Sequence, residues 1–322
     1  MADSRNSPPT EPVRQAVEAC LARYANPGQS VVVAFSGGLD STVLLHAASR
    51  LADHFAIKLS AVHVHHGLST NADTWATFCG EVCRGLGIPL ALRHVDVYSC
   101  GGDGVEAAAR RVRYQALEEL PENWILLAHH ADDQAETLLH NLVRGAGVRG
   151  AAAMPESRDR LMRPLLNTTR DALLAYARSY RLEWIEDESN SDRRFTRNFL
   201  RHEILPVIAA RFPKVNQRLA AAAARFGEAE SLLDDLAVLD LGGARPEFPL
   251  HLRLFRDLPE SRGRNLLRAM LNWHQVQPPD ESRLREFVRQ LHTAGMDRHP
   301  RVDLGSYSLW SERGKLNFKN LG

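Results

Sequence analysis

Residues Val31 to Ser41 read Val-Val-Val-Ala-Phe-Ser-Gly-Gly-Leu-Asp-Ser, an apolar β-branched run that breaks on two glycines and re-emerges as the helix-like Thr42 to Leu51. Such a run suits a strand buried on both faces, which restricts the chain to a sheet covered by helices on either side. The glycines let backbone N–H groups converge at the start of the following helix, where the helix dipole favours an anion. The segment has neither the Gly-x-x-x-x-Gly-Lys-Ser/Thr of a Walker A loop nor the Gly-x-Gly-x-x-Gly of a dinucleotide loop. Two readings remain, a phosphate-binding turn of another kind and a plain tight connection. Ser36, Gly37, Gly38, Leu39, Asp40 and Ser41 are the candidate phosphate contacts, and Asp40 has the chemistry to hold a magnesium ion on those phosphates.

The unit then repeats. Apolar Leu59 to Val64, Leu90 to Val95 and Trp124 to Ala128 alternate with helix-like Asn71 to Leu86, Val105 to Leu120 and Asp132 to Val143. Strands that alternate with helices predict an α/β fold, a doubly wound, Rossmann-like parallel sheet. Ligands of such sheets sit beyond the carboxyl ends of the strands, so Ser36 to Ser41, His65 to Gly67 and His129 to Asp133 should face one crevice.

The pattern loosens after Arg163-Pro164. A helix over Thr169 to Tyr180, a short apolar Trp184-Ile185 and a helix over Asn198 to Leu205 lead to Pro206 and Pro213. With 322 residues, two domains are expected. We place a loose N-terminus at 1–12, the nucleotide-binding catalytic domain at 13–213, and a linking helix with a smaller α+β or mainly helical domain at 214–322. In that second domain Lys214 to Asp240, Glu260 to His274 and Asp280 to His292 read as helices. Ser306 to Phe318 reads as strand, broken at Arg313-Gly314.

Composition narrows the class. Hydrophobic residues make up 44% and charged residues 25%, as in ordinary globular proteins, and no apolar run is long enough to span a bilayer. The four cysteines, at 20, 79, 83 and 100, form neither a disulfide ladder nor a Cys-x-x-Cys pair, which suits a reducing, cytoplasmic setting. A formal net charge of +1 predicts no general affinity for polyanions, so nucleic-acid binding would rest on local patches.

The densest chemistry lies at Ala128-His129-His130-Ala131-Asp132-Asp133-Gln134-Ala135-Glu136-Thr137, where a strand ends and a helix begins. Asp132 suits a capping role. Asp133 and Glu136, three apart, share a face with His129 beside them, and together they could bind a cationic amine and take its protons. His63, His65 and His66 tempt a zinc reading, but alternation splits them between faces and no further ligand follows at metal spacing. Contact with a nucleotide base or core packing fits His63 better. Arg110 and Arg113 share one side of a helix with Tyr114, either as a solvated basic face or as contacts to phosphate or RNA. Arg197 and Arg201, four apart, could clamp a phosphate together.

Taken together, these motifs bring a family into view. Ser-Gly-Gly-Leu-Asp-Ser at 36 to 41 resembles the pyrophosphate loop of the N-type ATP pyrophosphatases, the PP-loop superfamily. The full set closely resembles the bacterial tRNA(Ile)-lysidine synthetases: His-Val-His-His-Gly-Leu-Ser from 63, Glu-x-x-x-Arg-x-x-Arg-Tyr from 106, the 128 to 137 cluster, glycines 145, 147 and 150 with Met154, Arg-Pro-Leu-Leu from 163, Asp-Glu-Ser-Asn-x-Asp from 187 and Arg-Asn-Phe-Leu-Arg from 197. The match runs in order through most of 30 to 206.

The resemblance implies a two-step ligation on tRNA(Ile) with a CAU anticodon. ATP adenylates the wobble cytidine at its C2 oxygen with loss of pyrophosphate, and the ε-amine of L-lysine then displaces AMP to give lysidine. It assigns Ser36 to Ser41 with His63, Arg110 and Arg201 to ATP, Asp40 to magnesium, and Asp133 and Glu136 to lysine. Asp40, His129, Asp133 and Glu136 become catalytic, and Arg113 and Arg197 contact tRNA. Longer members continue into a further small domain for which this chain has no residues. A thiolase of the same superfamily and a non-catalytic ATP- or tRNA-binding module are the rival readings. No membrane association is expected, and the oligomeric state stays open, a dimer included.

Overall fold

The computed structural model describes residues 10–67, 69–97, 105–186, 196–243, 246–293 and 299–321. The expectations resting on Asp187 to Arg194, on Cys100 and on Leu68 lie outside these residues. The chain divides into two compact units, 1–227 and 228–322.

The first unit opens with α1 (Glu11–Tyr24), whose first two residues, Glu11 and Pro12, fall in the stretch expected to be loose. Val13, Val17, Cys20 and Leu21 recur at helical spacing and are buried, and Pro12 stands in the first turn, where its missing N–H costs nothing. β1 (Ser30–Ala34) leads to α2 (Leu39–Ser49), and β2 (Lys58–His65) to α3 (Ala72–Leu86). β3 (Leu90–His94) precedes α4 (Val105–Glu118), and β4 (Trp124–Leu126) precedes α5 (Ala131–Val143). The short α6 (Val148–Ala151), a hairpin of β5 (Ser157–Arg158) and β6 (Leu161–Met162), and α7 (Arg170–Ser179) follow. Next come α8 (Thr196–Phe199), a π turn over Leu200–Ile204, α9 (Leu205–Arg211) and α10 (Val215–Asp240), which runs across the division.

The sheet order is β3-β2-β1-β4-β6-β5, parallel except for the final β5. Val31 and Val33 of β1 face one core with α1, α2 and α7, whereas Val32 faces the other with Val62, Leu117 and Ile125. The triple valine therefore fills both sides of a central strand. β3 departs from the buried pattern expected of it, because it forms the sheet edge and leaves Leu92 exposed.

The winding reverses between β1 and β4. β2 and β3 build outward on one side of β1, and the chain then returns to lay β4 on the other. At such a switch point the two following loops part and leave a crevice beyond the strand ends. Here those loops are 35–38 and 127–130.

The second unit contains β7 (Leu250–His251), α11 (Leu252–Asp257), α12 (Glu260–Trp273), α13 (Glu281–Thr293), β8 (Arg301–Asp303), β9 (Tyr307–Glu312) and β10 (Lys315–Asn320). Its sheet, β7-β10-β9-β8, is antiparallel, and β9 and β10 form a hairpin turned at Arg313-Gly314. Leu266, Met270, Leu284, Val288, Leu309 and Leu316 form its core. Among the described residues, no helix is long and apolar enough to cross a membrane.

Candidate active site

The loop after β1 is tied from inside. Ser36 Oγ and Ser41 Oγ lie 3.0 Å apart, Ser41 Oγ donates to the Gly38 carbonyl at 3.0 Å, and Thr42 Oγ1 donates to the Gly37 carbonyl at 3.3 Å. The Ile185 N–H also donates to the Gly37 carbonyl, at 2.9 Å. Gly37 takes φ +86°, and a Cβ there would stand 2.9 Å from Ile185 Cδ1 and 3.1 Å from Cys79 Sγ. Glycine is required at that position by both conformation and space. Gly38 differs, since a Cβ there would meet nothing closer than Ser36 Oγ at 3.6 Å. Gly38 is the N-cap of α2 and caps it with no side chain, so the first-turn N–H groups of α2 are left for an anion.

His63 supports this loop from behind. It is buried, its Nδ1 donates to the Phe35 carbonyl at 2.9 Å, and Cys79 Sγ lies 3.4 Å from the same nitrogen. Burial holds its pKa below the ordinary histidine value, so the ring is neutral. His65 turns elsewhere, with Nε2 3.0 Å from Asp73 Oδ1, and no three potential ligands cluster for a metal among the described residues. Burial pushes the Cys79 and Cys83 thiols up to about 12 and about 11, which keeps them protonated core side chains.

Across the crevice, His130 is the N-cap of α5. Its Nδ1 accepts the Asp132 N–H at 3.2 Å, and its own N–H donates to Asp133 Oδ2 at 3.0 Å, a closed capping box. With Nδ1 so engaged, Nε2 points to Asp40 Oδ2 and Asp133 Oδ2, 3.5 Å from each. Burial opposes a charge on this ring and Asp133 and Asp40 favour one, but a ring whose Nδ1 accepts the Asp132 N–H is neutral and carries its proton on Nε2, facing the two carboxylates. Sequence reasoning chose His129 of this pair and left His130 out. The signal was its place immediately before an acidic first helical turn, where a side-chain acceptor caps the helix.

Asp40 Oδ1 is buried and has no partner in the protein. An orphaned carboxylate oxygen beside an anion-receptive helix start fits magnesium, which usually takes one or two carboxylates and fills its shell with phosphate oxygens and water.

Glu136 and Asp133 hold a cation between them. The Arg201 Nε lies 2.5 Å from Glu136 Oε1, and its Nη2 lies 2.9 Å from Glu136 Oε2 and 3.0 Å from Asp133 Oδ1. Glu136 is 2% exposed. Burial raises its pKa against the pull of Arg201, so Glu136 takes up a proton more readily than a surface carboxylate. Arg201 also feels Asp40. The π turn that begins at Leu200 interrupts the helical spacing of Arg197 and Arg201, and Arg197 instead acts electrostatically on Arg113.

His129 lies among cations. Burial, followed by the positive field of Arg163, Arg110 and Arg113 and against the pull of Asp133, brings its pKa down to about 3. Its ring is neutral at every physiological pH, and its buried Nδ1 has no partner. Arg110 leans on Tyr114, with Nη2 3.2 Å from the phenol oxygen. Arg163 is 5% exposed, donates to the Pro155 carbonyl at 2.9 Å and keeps an unpartnered Nε. No ion pair neutralises Arg110, Arg113 or Arg163 among the described residues, which makes this side of the crevice receptive to an anion.

Comparison with known proteins places both parts of the chain in described families. The PP-loop domain family matches residues 9–208, and the TilS substrate binding domain family matches 250–316. The tRNA(Ile)-lysidine synthase of Nitrosomonas europaea is 39% identical over 99% of this chain and 71% of its own length. That of Aromatoleum aromaticum is 48% identical over 92% of this chain and 70% of its own length. Among solved structures, the U34-tRNA thiolase NcsA from Methanococcus maripaludis with its [4Fe-4S] cluster superposes with a TM-score of 0.57 at 16% identity, covering 68% of this chain and 78% of that one. At that identity the likeness concerns the fold.

Proposed function

This chain belongs to the tRNA(Ile)-lysidine synthase family, and from that membership we propose how its crevice divides the labour of an ATP-dependent, lysidine-forming tRNA ligase. The observation that carries the reading is one continuous polar chain. Asp40 at the phosphate loop meets His130, His130 meets Asp133, and Arg201 joins Asp133 to Glu136. An anion site and a cation site thus face each other across a single side chain.

In the first step the C2 oxygen of the wobble cytidine attacks the α-phosphate of ATP, the α–β bridge breaks, and pyrophosphate leaves. Ser36, Gly37, Gly38, Leu39 and Ser41 with the start of α2 receive the pyrophosphate, and His63 keeps the loop in place. Arg110 and Arg201 offset charge on the nucleotide, while Arg113 and Arg197 serve the RNA backbone. Asp40 would hold magnesium, which supplies charge neutralisation on the leaving group when bound.

In the second step the ε-ammonium of lysine displaces the Arg201 guanidinium from Asp133 and Glu136, which leaves Arg201 to the nucleotide. One of these carboxylates accepts its proton, the free amine bonds to C2, and the bond from C2 to the adenylate oxygen breaks to release AMP. His130 Nε2 lies between the two centres and steadies Asp133 while the charge moves. His129 is too weak a base to store the proton, and we assign its neutral ring to hydrogen bonding within the arginine-lined wall.

The test is transfer of radiolabelled lysine to a CAU-anticodon tRNA(Ile) transcript. Incorporation that requires ATP and yields AMP and pyrophosphate supports the proposal. No transfer by folded, ATP-binding protein overturns it.

A further inference from the structure

Thr137 to Pro155 contains no aspartate or glutamate, and within it Leu142 to Gly150 reads Leu-Val-Arg-Gly-Ala-Gly-Val-Arg-Gly. This is the turn at the far end of α5, and it leaves apolar side chains in water. Val143 is 77% exposed, Leu142 44% and Val148 37%, beside the exposed Arg144 and Arg149.

The turn is built rather than slack. Gln134, 5% exposed, receives the Met154 N–H at 2.9 Å and donates to the Met154 carbonyl at 2.8 Å. Asn141 Nδ2 donates to the Gly150 carbonyl at 2.8 Å, and the Ala146 N–H donates to the Asn141 carbonyl at 3.0 Å. A Cβ on Gly150 would stand 2.6 Å from the Ala146 Cβ, so only glycine allows so tight a return. Two buried or half-buried amides on α5 therefore fix a loop that shows apolar and cationic side chains to solvent, an arrangement that core packing alone does not require.

We infer that Leu142 to Arg149 is a contact surface for single-stranded RNA, taking the loop nucleotides that flank the reacting base. This rests on the proposed function. Arg144, in a stretch without acids, complements a phosphate backbone, and exposed aliphatic side chains offer unstacked bases an apolar surface. α5 starts at the crevice and carries the chain about 15 Å over the ten residues from Asp133 to Val143, so RNA that leaves the crevice along this helix meets the turn. A fixed loop lowers the ordering cost of binding.

The experiment measures the affinity of a CAU anticodon stem-loop RNA for the full chain across a salt series. The variants are Arg144→Gln and Val143→Ser with Val148→Ser, all exposed positions, with thermal melting as the control for folding. Removing one phosphate contact should flatten the slope of log affinity against log salt by about 0.7 for a single-stranded contact. The serine pair should weaken binding several-fold and leave that slope alone. In turnover, both should raise the KM for tRNA and leave the KM for ATP unchanged. Unchanged RNA affinity and slope in both variants overturn the inference, as does a change in oligomeric state without a change in RNA binding, which would make the patch a protein interface. Wild-type protein that binds the stem-loop but transfers no lysine would refute the proposed function while leaving this surface standing.

Discussion

The two loop glycines, adjacent in sequence, answer to different constraints. Gly37→Ala places a Cβ at positive φ and against Ile185 and Cys79, and should destabilise the fold by about 2 to 3 kcal/mol in a denaturant titration. Gly38→Ala meets no such obstacle, since φ is −72° and the nearest atom is 3.6 Å away. It should melt within about 0.5 kcal/mol of the wild type yet raise the KM for ATP, because what it obstructs is the approach of phosphate. His130 allows a similar separation. His130→Asn keeps an acceptor for the Asp132 N–H but cannot span to Asp40, so the melting temperature should hold while kcat falls roughly 10- to 100-fold. Loss of stability equal to that of His130→Ala would mean the ring serves the helix alone. At this scale the sequence was only partly legible. The residue types of the cluster pointed to its chemistry, but which of two adjacent histidines joins Asp40 to Asp133 depends on α5 beginning at Ala131, and element boundaries are the least certain part of a sequence reading.

Among the elements, those with strong periodicity were readable and the brief ones were not. β1, β2, β4, α3, α5 and α12 follow their apolar patterns to within a few residues. The hairpin of β5 and β6 has two residues per strand, too few for alternation to register, yet it holds Arg160 where it matters. Arg160 Nη1 donates to the Leu120 carbonyl at 2.6 Å and the Glu122 carbonyl at 2.9 Å, and Nη2 donates to the Glu118 carbonyl, which closes the end of the helix that presents Arg110 and Arg113. Arg160→Ala should cost about 1 to 3 kcal/mol and speed hydrogen exchange in the last turn of α4. The π turn was equally hidden, since nothing in Leu200–Ile204 marks where a helix widens. α1 was missed for another reason: its apolar spacing was present but stood next to a proline-rich terminus.

For the whole molecule, acid pH works against the buried histidines. His129, His63 and His46 are held neutral below the ordinary value, chiefly by burial. The unfolded chain binds those protons first, so stability falls as pH drops below about 6.5, by at most about 1.4 kcal/mol per pH unit for each group. For His129 the loss continues toward its folded value of about 3. Urea midpoints should therefore fall as pH drops below about 6.5, and His129→Asn should flatten that decline. The alternating order of strands and helices made the doubly wound sheet legible before the structure, and with it the crevice beyond β1 and β4. The four-stranded sheet of the second unit was half visible, since its β7 and β8 are two and three residues long.

The central claim is that one crevice holds two separable chemistries, nucleotide activation at the phosphate loop and amine transfer at Asp133 and Glu136. Single-turnover reactions with labelled ATP and labelled lysine, run on the wild type and on Glu136→Gln, test it most directly. The account predicts that the wild type releases pyrophosphate and incorporates lysine, and that the variant still releases pyrophosphate but incorporates lysine at least about tenfold more slowly. Equal loss of both steps in a variant that melts like the wild type would contradict it.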